Sequence, residues 1–314
     1  MTLAFVFPGQ GSQSVGMGSE LFDNFAAARE VFGEVNEVLR QDLLKLMREG
    51  PEADLTLTEN AQPALMAVSL AVVRVLKADF GIDVSKAAFC AGHSLGEYSA
   101  LAAMEVLTLS DAAKLLKLRG QAMQRAVPVG QGAMAALIGA KADLALAEAA
   151  CEAGRAAGIV VVANDNNAGQ VVISGEKAAV DLAVEKAKEL GAKAMLLNVS
   201  APFHSPLMQP AAEEMAAALS KTTFHDPKSV LVANVTAQPV GDKAQFAPLL
   251  IEQVTGRVRW RESVQWLAQD GGVTQFAELG AGKVLSGMIK RLAPDSEAVA
   301  LNGAADFEAF AKSL

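Results

Sequence analysis

Short apolar runs alternate with amphipathic stretches along the whole chain. Residues 2–7 and 87–91 predict buried strands, whereas helical periodicity marks residues 20–39 and 63–77. This alternation is typical of an α/β fold with a largely parallel sheet. A further helix is predicted at residues 111–126, with Ser110 as its N-cap because a hydroxyl oxygen can accept hydrogen bonds from the first free N–H groups.

The pattern changes after the glycine-containing segment 128–132. Two strand-helix-strand units follow, with strands at 133–140, 159–163, 171–174 and 193–199, helices at 142–153 and 176–190, and a turn at 164–169. The order β-α-β-β-α-β is ferredoxin-like. Later strands near 230–235, 273–278 and 298–301 resume the first pattern. The sequence therefore predicts a discontinuous α/β catalytic domain, residues 1–127 and 199–314, interrupted by a ferredoxin-like subdomain, residues 128–198.

Composition narrows the class of protein. The 314 residues are 52% hydrophobic and 5% aromatic, which disfavours both disorder and an all-β fold. A net charge of −8 argues against a nucleic-acid binder that neutralises phosphates. The longest stretch without a formal charge, residues 194–212, contains three prolines and cannot form a bilayer helix. No basic residue precedes the first apolar run, and two cysteines suit neither a disulfide framework nor a zinc site, so a cytoplasmic protein is expected.

A candidate nucleophile lies between the second predicted strand and the helical pattern that follows it. Gly92-His93-Ser94-Leu95-Gly96 is a G-x-S-x-G pentapeptide, and a strand-turn-helix context is what this motif requires. The helix N-terminus would offer N–H donors to an oxyanion. The alternative is a glycine-bounded turn that merely contains a serine.

A catalytic serine needs a base, and the chain has three histidines. His93 is expected to be structural, and His225 lies in a predicted exposed turn. His204 directly follows the predicted insertion, where junction loops tend to line a cleft. Whether His204 is the base or a packed loop residue stays open on these grounds.

Arg119 falls on the apolar face of the predicted helix 111–126, between Leu115 and Met123. Burying a guanidinium is costly unless an anion or other acceptor meets it. The partner is either an internal Asp or Glu or a substrate carboxylate, and the neighbouring nucleophile motif favours the substrate.

Other motifs are weak. Gly9-Gln10-Gly11 lacks the third glycine of a dinucleotide-binding loop, and no cluster has metal-ligand spacing. Asp270-Gly271-Gly272 is similar to the Asp-Gly-Gly of patatin-like lipases, which use a Ser-Asp dyad, but Asp-Gly also favours an ordinary turn.

Several segments together resemble the malonyl-CoA:acyl carrier protein transacylases, within the acyltransferase family of fatty-acid and polyketide synthesis. The resemblance spans nearly the full chain and implies a hydrolase-like large domain with a ferredoxin-like insertion. Ala281, where the family commonly has proline, and Asp165 depart from the motifs. The segments are Phe7-Pro8-Gly9-Gln10-Gly11-Ser12-Gln13, Gly92-His93-Ser94-Leu95-Gly96-Glu97-Tyr98, the turn that begins at Asn164 with Gly169-Gln170-Val171-Val172-Ile173-Ser174-Gly175, Pro202-Phe203-His204-Ser205, Asn234-Val235, Val258-Arg259-Trp260 and Glu278-Leu279-Gly280-Ala281-Gly282-Lys283-Val284-Leu285.

The resemblance implies a ping-pong transfer of malonyl from coenzyme A to the phosphopantetheine thiol of acyl carrier protein, supplying fatty-acid synthesis. It implies no cofactor, and we expect a monomer with no membrane or nucleic-acid partner. The implied site comprises the nucleophile Ser94, the base His204, the oxyanion-binding N–H groups of Gln10 and Leu95, the carboxylate-binding Arg119, and Gln253, whose backbone carbonyl orients the histidine.

Three alternatives stay open: a serine esterase or thioesterase, an acyltransferase of a polyketide or malonate pathway, and a non-catalytic binding module. An acidic carrier protein would need a local basic patch on a chain of net charge −8. Lys283, Lys290 and Arg291 are the candidates for that patch.

Overall fold

The computed structural model describes residues 2–199 and 201–314. Its strands form two sheets, one of six strands and one of four. In chain order the strands are β1 Leu3–Phe7, β2 Phe89–Gly92, β3 Gly132–Ile138, β4 Val160–Asn167, β5 Gln170–Glu176, β6 Lys193–Leu196, β7 Val230–Val232, β8 Pro239–Val240, β9 Gln275–Leu279 and β10 Glu297–Leu301.

Fourteen α-helices are assigned within the described residues. Most of them connect or cover the strands, so the molecule is α/β as predicted. They are α1 Ser19–Asn24, α2 Ala26–Leu39, α3 Leu43–Glu49, α4 Glu52–Thr56, α5 Thr58–Phe80, α6 Gly96–Ala103, α7 Leu109–Ala126, α8 Leu144–Gly154, α9 Lys177–Glu189, α10 Gln209–Leu219, α11 Phe246–Thr255, α12 Trp260–Gln269, α13 Val284–Leu292 and α14 Ala304–Ser313.

The six-stranded sheet has the order β10-β9-β1-β2-β7-β8 and is parallel except for β8. Side chains alternate between its faces: Leu3, Phe5 and Phe7 join the larger apolar cluster, whereas Ala4 and Val6 join a second cluster under α12 and α13. Both faces are thus buried, as parallel sheets require. Phe7 pairs with Gly92, so the loops after β1 and β2 emerge side by side at one edge.

The four-stranded sheet has the order β4-β5-β3-β6 and is antiparallel throughout. It packs with α8 and α9 around a small apolar cluster of its own. Main-chain hydrogen bonds of β4 to Val258 join it to the rest of the molecule. Asp165, 1% exposed, receives three hydrogen bonds from the Arg261 side chain. Asp165, which departs from the family motif, therefore connects strand β4 to helix α12 through this ion pair.

Several predicted boundaries were wrong. Thr108 caps α7 rather than Ser110, because its hydroxyl accepts from the Asp111 N–H. The predicted helix 20–39 is divided at Phe25, whose extended backbone ends α1 and begins α2. The predicted turn 164–169 is mostly strand, since β4 continues to Asn167 while pairing with β5. None of the helices within residues 2–199 and 201–314 combines the length and apolarity needed to cross a bilayer.

Candidate active site

Ser94 sits on a sharp turn between β2 and α6. Its φ is +53°, a left-handed conformation that is strained for a non-glycine residue. The flanking glycines are required sterically: a Cβ on Gly92 would lie 1.9 Å from the Gly96 carbonyl oxygen, and one on Gly96 would lie 2.3 Å from that of Phe7. The spacing of the pentapeptide therefore follows from how closely β1, β2 and α6 approach one another.

His204 is the histidine that the fold brings to Ser94. Its Nε2 lies 2.8 Å from Ser94 Oγ, and its Nδ1 lies 2.9 Å from the Gln253 carbonyl oxygen and 3.1 Å from that of Gly256. Carbonyl oxygens only accept, so Nδ1 carries the proton and Nε2 is free to accept from the serine hydroxyl. Ser94 and His204 thus form a hydrogen-bonded pair, and backbone carbonyl oxygens rather than a carboxylate orient the histidine ring.

Burial and the nearby Arg119 charge lower the pKa of His204 to about 3. The depressed pKa keeps the imidazole neutral at and well below neutral pH, which is the state in which Nε2 can accept a proton. His204 also has a positive φ of +56°, like Ser94, so both reacting side chains are held on strained backbone.

Arg119 reaches the nucleophile from α7. It is 1% exposed, and its Nη2 lies 3.2 Å from Ser94 Oγ. The rest of its fork is held by amide oxygens: Nη1 donates to Gln62 Oε1 and Nη2 to Gln253 Oε1, each at 2.8 Å. Within residues 2–199 and 201–314 no Asp or Glu forms a salt bridge with it. No carboxylate in this described part of the chain therefore contacts the buried guanidinium directly, and the nearest one, Glu97, acts on it from the far side of the Gln253 amide.

A cleft of about 400 Å³ opens onto Ser94, His204 and Arg119. The predicted oxyanion donors Gln10 and Leu95 line the same cleft. In the described part of the chain, neither of their main-chain N–H groups has a hydrogen-bond acceptor. Unpaired main-chain donors in a cleft with a serine are available to bind an oxyanion.

The sequence alone missed two polar residues that hold this arrangement. Asn234 accepts from the Ser94 N–H at 2.8 Å and donates to the Gly92 carbonyl oxygen at 2.6 Å, which clamps the turn from the opposite side. Gln62 holds Arg119 from α5. A polar Gln62 within an otherwise apolar helical stretch was a sequence feature that could have indicated a buried polar contact. Asn234 lies in a loop, where only its membership of a family motif set it apart.

The other candidate residues form no hydrogen bond with the Ser94 or His204 side chain, although His93 lines the cleft. His93 Nε2 pairs with Asn166 Oδ1 at 2.8 Å, and its ring packs edge-on against Trp260, as expected of a structural residue. His225 is exposed. Asp270 is exposed at the end of α12 and does not line the cleft, so the Ser-Asp dyad of the patatin alternative has no geometric basis.

A serine hydrogen-bonded to a neutral histidine, in a cleft that Gln10 and Leu95 also line, is the arrangement of enzymes that move acyl groups through a serine ester. Comparison with known proteins agrees. Residues 4–299 match the model of the acyl transferase domain, and the chain belongs to that family.

The individual proteins that this chain resembles have more specific names than the family. Malonyl CoA-acyl carrier protein transacylase of Bacillus subtilis is 46% identical over 92% of this chain and 90% of its own. The Escherichia coli enzyme of the same name is 43% identical over 95% of both chains. A crystal structure of acyl-carrier-protein-S-malonyltransferase from Bartonella henselae has a TM-score of 0.96 and 51% identity, covering 100% and 99% of the two chains. A further neighbour, with a TM-score of 0.95, 40% identity and full coverage of both chains, is a malonyl-transacylase in complex with a type II polyketide acyl-carrier protein.

Proposed function

We propose that this protein transfers a malonyl group from malonyl-CoA to the phosphopantetheine thiol of an acyl carrier protein, by a ping-pong mechanism. The names of its relatives support this substrate pair. The observation that carries the proposal is the buried Arg119, which lies 3.2 Å from Ser94 Oγ and is in direct contact with no carboxylate among the described residues. A malonyl thioester ends in a carboxylate, which would supply that contact.

In the first half-reaction, Ser94 Oγ attacks the thioester carbon while its proton passes to His204 Nε2. The developing oxyanion accepts from the N–H groups of Gln10 and Leu95. The C–S bond then breaks, and the coenzyme A thiolate takes the proton from His204. Ser94 is left as a malonyl ester, with its carboxylate on Arg119.

The second half-reaction reverses these roles. The phosphopantetheine thiol gives its proton to His204 and attacks the ester carbon, and Ser94 Oγ leaves with that proton. Every bond broken is replaced by one of the same kind, so we propose that no redox or metal cofactor takes part. All six site residues come from one chain, which supports a monomer as the active unit.

Two finer parts of the proposal concern architecture and docking. We propose that residues 128–198 are an inserted ferredoxin-like subdomain, because their strand order and antiparallel pairing fit that arrangement. Lys283, Lys290 and Arg291 are exposed on or beside α13, whose Val284 and Met288 line the cleft. This placement supports the three cations as the carrier-protein contact.

Mass spectrometry of the intact protein tests the proposal. Incubation with malonyl-CoA should add one malonyl group on Ser94, and the adduct should discharge to holo carrier protein. An adduct that hydrolyses equally fast without carrier protein would instead support the thioesterase alternative.

A further inference from the structure

Glu97 is a buried carboxylate beside the site with no role in the proposed reaction. It lies in the first turn of α6, three residues after Ser94, and is 1% exposed. Its Oε2 accepts from Gln253 Nε2 at 2.5 Å, and its Oε1 accepts from the Asn234 N–H at 3.4 Å. Within the described residues no Lys or Arg forms a salt bridge with it, and burial raises its pKa to about 7. Burying a carboxylate without a cation in contact costs free energy, so we expect this position to support a function.

The Gln253 side chain joins Glu97 to Arg119. Its Nε2 donates to Glu97 Oε2 and, at 3.0 Å, to the Ser94 carbonyl oxygen, whereas its Oε1 accepts from Arg119 Nη2 at 2.8 Å. An ionised carboxylate only accepts and a guanidinium only donates. The reversed amide would place donor against donor at Arg119 and acceptor against acceptor at Glu97. Together with the Ser94 carbonyl oxygen, which also only accepts, the ionised Glu97 and Arg119 hold the amide in one orientation.

The two functions of Gln253 are separable. Its carbonyl oxygen, which orients His204, belongs to the main chain of α11 and is placed by the helix. Its side-chain oxygen, which holds Arg119, is placed by the contacts of the amide. A change at Glu97 should therefore reach Arg119 more strongly than it reaches His204.

The interposed amide also keeps the guanidinium available. A carboxylate bonded directly to Arg119 would occupy the donors that an acyl carboxylate needs. With Gln253 between them, Arg119 donates to a neutral oxygen while the negative charge polarises the amide from its far end.

We propose that Glu97 is a positioning residue that strengthens the malonyl preference of the enzyme, by holding the Gln253 amide, together with the Ser94 carbonyl oxygen, in the orientation that holds Arg119. The proposal rests on the proposed function, because it assumes that Arg119 binds the malonyl carboxylate.

The test is the ratio of kcat/KM for malonyl-CoA to that for acetyl-CoA, measured as acylation of Ser94 at about pH 8, where the carboxylate ionises. Glu97→Gln removes the negative charge and the acceptor-only partner at Gln253 Nε2, so the amide keeps only the Ser94 carbonyl oxygen as a fixed acceptor and is held less tightly against Arg119. The ratio should fall about tenfold, mainly through KM for malonyl-CoA. Equal losses for both thioesters, which leave the ratio unchanged, would overturn the proposal.

A double-mutant cycle tests whether Glu97 acts through Gln253. Gln253→Met removes the amide and keeps the main-chain carbonyl, and it should itself lower the ratio. Adding Glu97→Gln to that variant should change the ratio by less than about twofold. Independent, multiplying effects would show that Glu97 does not act through the amide. If Glu97→Gln does not fold, Gln253→Met alone decides: an unchanged ratio refutes the proposal.

Glu278→Gln is the matched control. Glu278 is also a buried carboxylate, but its oxygens accept from Leu285 and Ser286 rather than from the Gln253 network. Its removal should lower the melting temperature without lowering the ratio. Failure of the proposed function is recognised separately, because wild-type protein would then form no malonyl-Ser94.

Discussion

Replacing Arg119 with methionine removes the guanidinium and keeps most of the side-chain length. Of its five N–H donors, hydrogen bonds to Gln62, Gln253 and Ser94 use three, and the Nε–H and one Nη1–H remain. We expect the malonyl carboxylate to accept two hydrogen bonds from the guanidinium once acylation removes the Ser94 hydroxyl. At about 1.5–3 kcal/mol for each charge-assisted bond, the loss is about 3–6 kcal/mol. The value of kcat/KM for malonyl-CoA should therefore fall by roughly 10²–10⁴-fold. Acetyl-CoA has no carboxylate and should lose far less.

The assay is quenched-flow acylation with each radiolabelled thioester, together with thermal melting of both variants. Arg119→Lys is the control, since it keeps the charge but loses the fork, and its malonyl rate should lie between those of wild type and Arg119→Met. Truncation also leaves the oxygens of Gln62 and Gln253 without a donor, so some loss of stability is expected. Equal losses of malonyl and acetyl transfer in folded Arg119→Met would show that the arginine is structural, and would refute the reasoning.

Four further predictions concern the nucleophile, the base and the small sheet. Ser94→Ala should form no labelled malonyl-enzyme; persistent label after denaturation would place the nucleophile elsewhere. His204→Ala should lose transfer activity while Asp270→Ala keeps it, and the opposite pattern in a carrier-protein assay would favour a Ser-Asp dyad. Because the pKa of His204 is lowered to about 3, its base form persists as pH falls, so the acetylation rate should stay level between about pH 5 and 7.5; a tenfold drop by about pH 5.5 would indicate an ordinary histidine. Asp165→Asn should destabilise the protein by about 2–4 kcal/mol in urea unfolding, since it leaves the half-buried Arg261 without its anion; a change below about 0.5 kcal/mol would contradict that role.

Local patterns were sufficient to predict the α/β class, the place of Ser94 between a strand and a helix, and the burial of Arg119. The reason is that each depends on nearby residues: alternation along β1, glycines two residues on either side of Ser94, and the 3.6-residue period of α7. Element ends were less accurate. Thr108 and Ser110 are both good caps, and only the path of the preceding chain selects between them.

Contacts between distant segments required the folded chain. Ser94 and His204 are 110 residues apart, and Arg119 and Gln253 are 134 apart, so no local pattern joins them. The choice between an internal carboxylate and a substrate as the partner of Arg119 likewise depended on which side chains packing brings to it. Glu97 is the clearest example of a contact that only the folded chain reveals. Its place in the sequence motif indicated no role, but in the folded protein only the Gln253 amide separates its carboxylate from the guanidinium of Arg119.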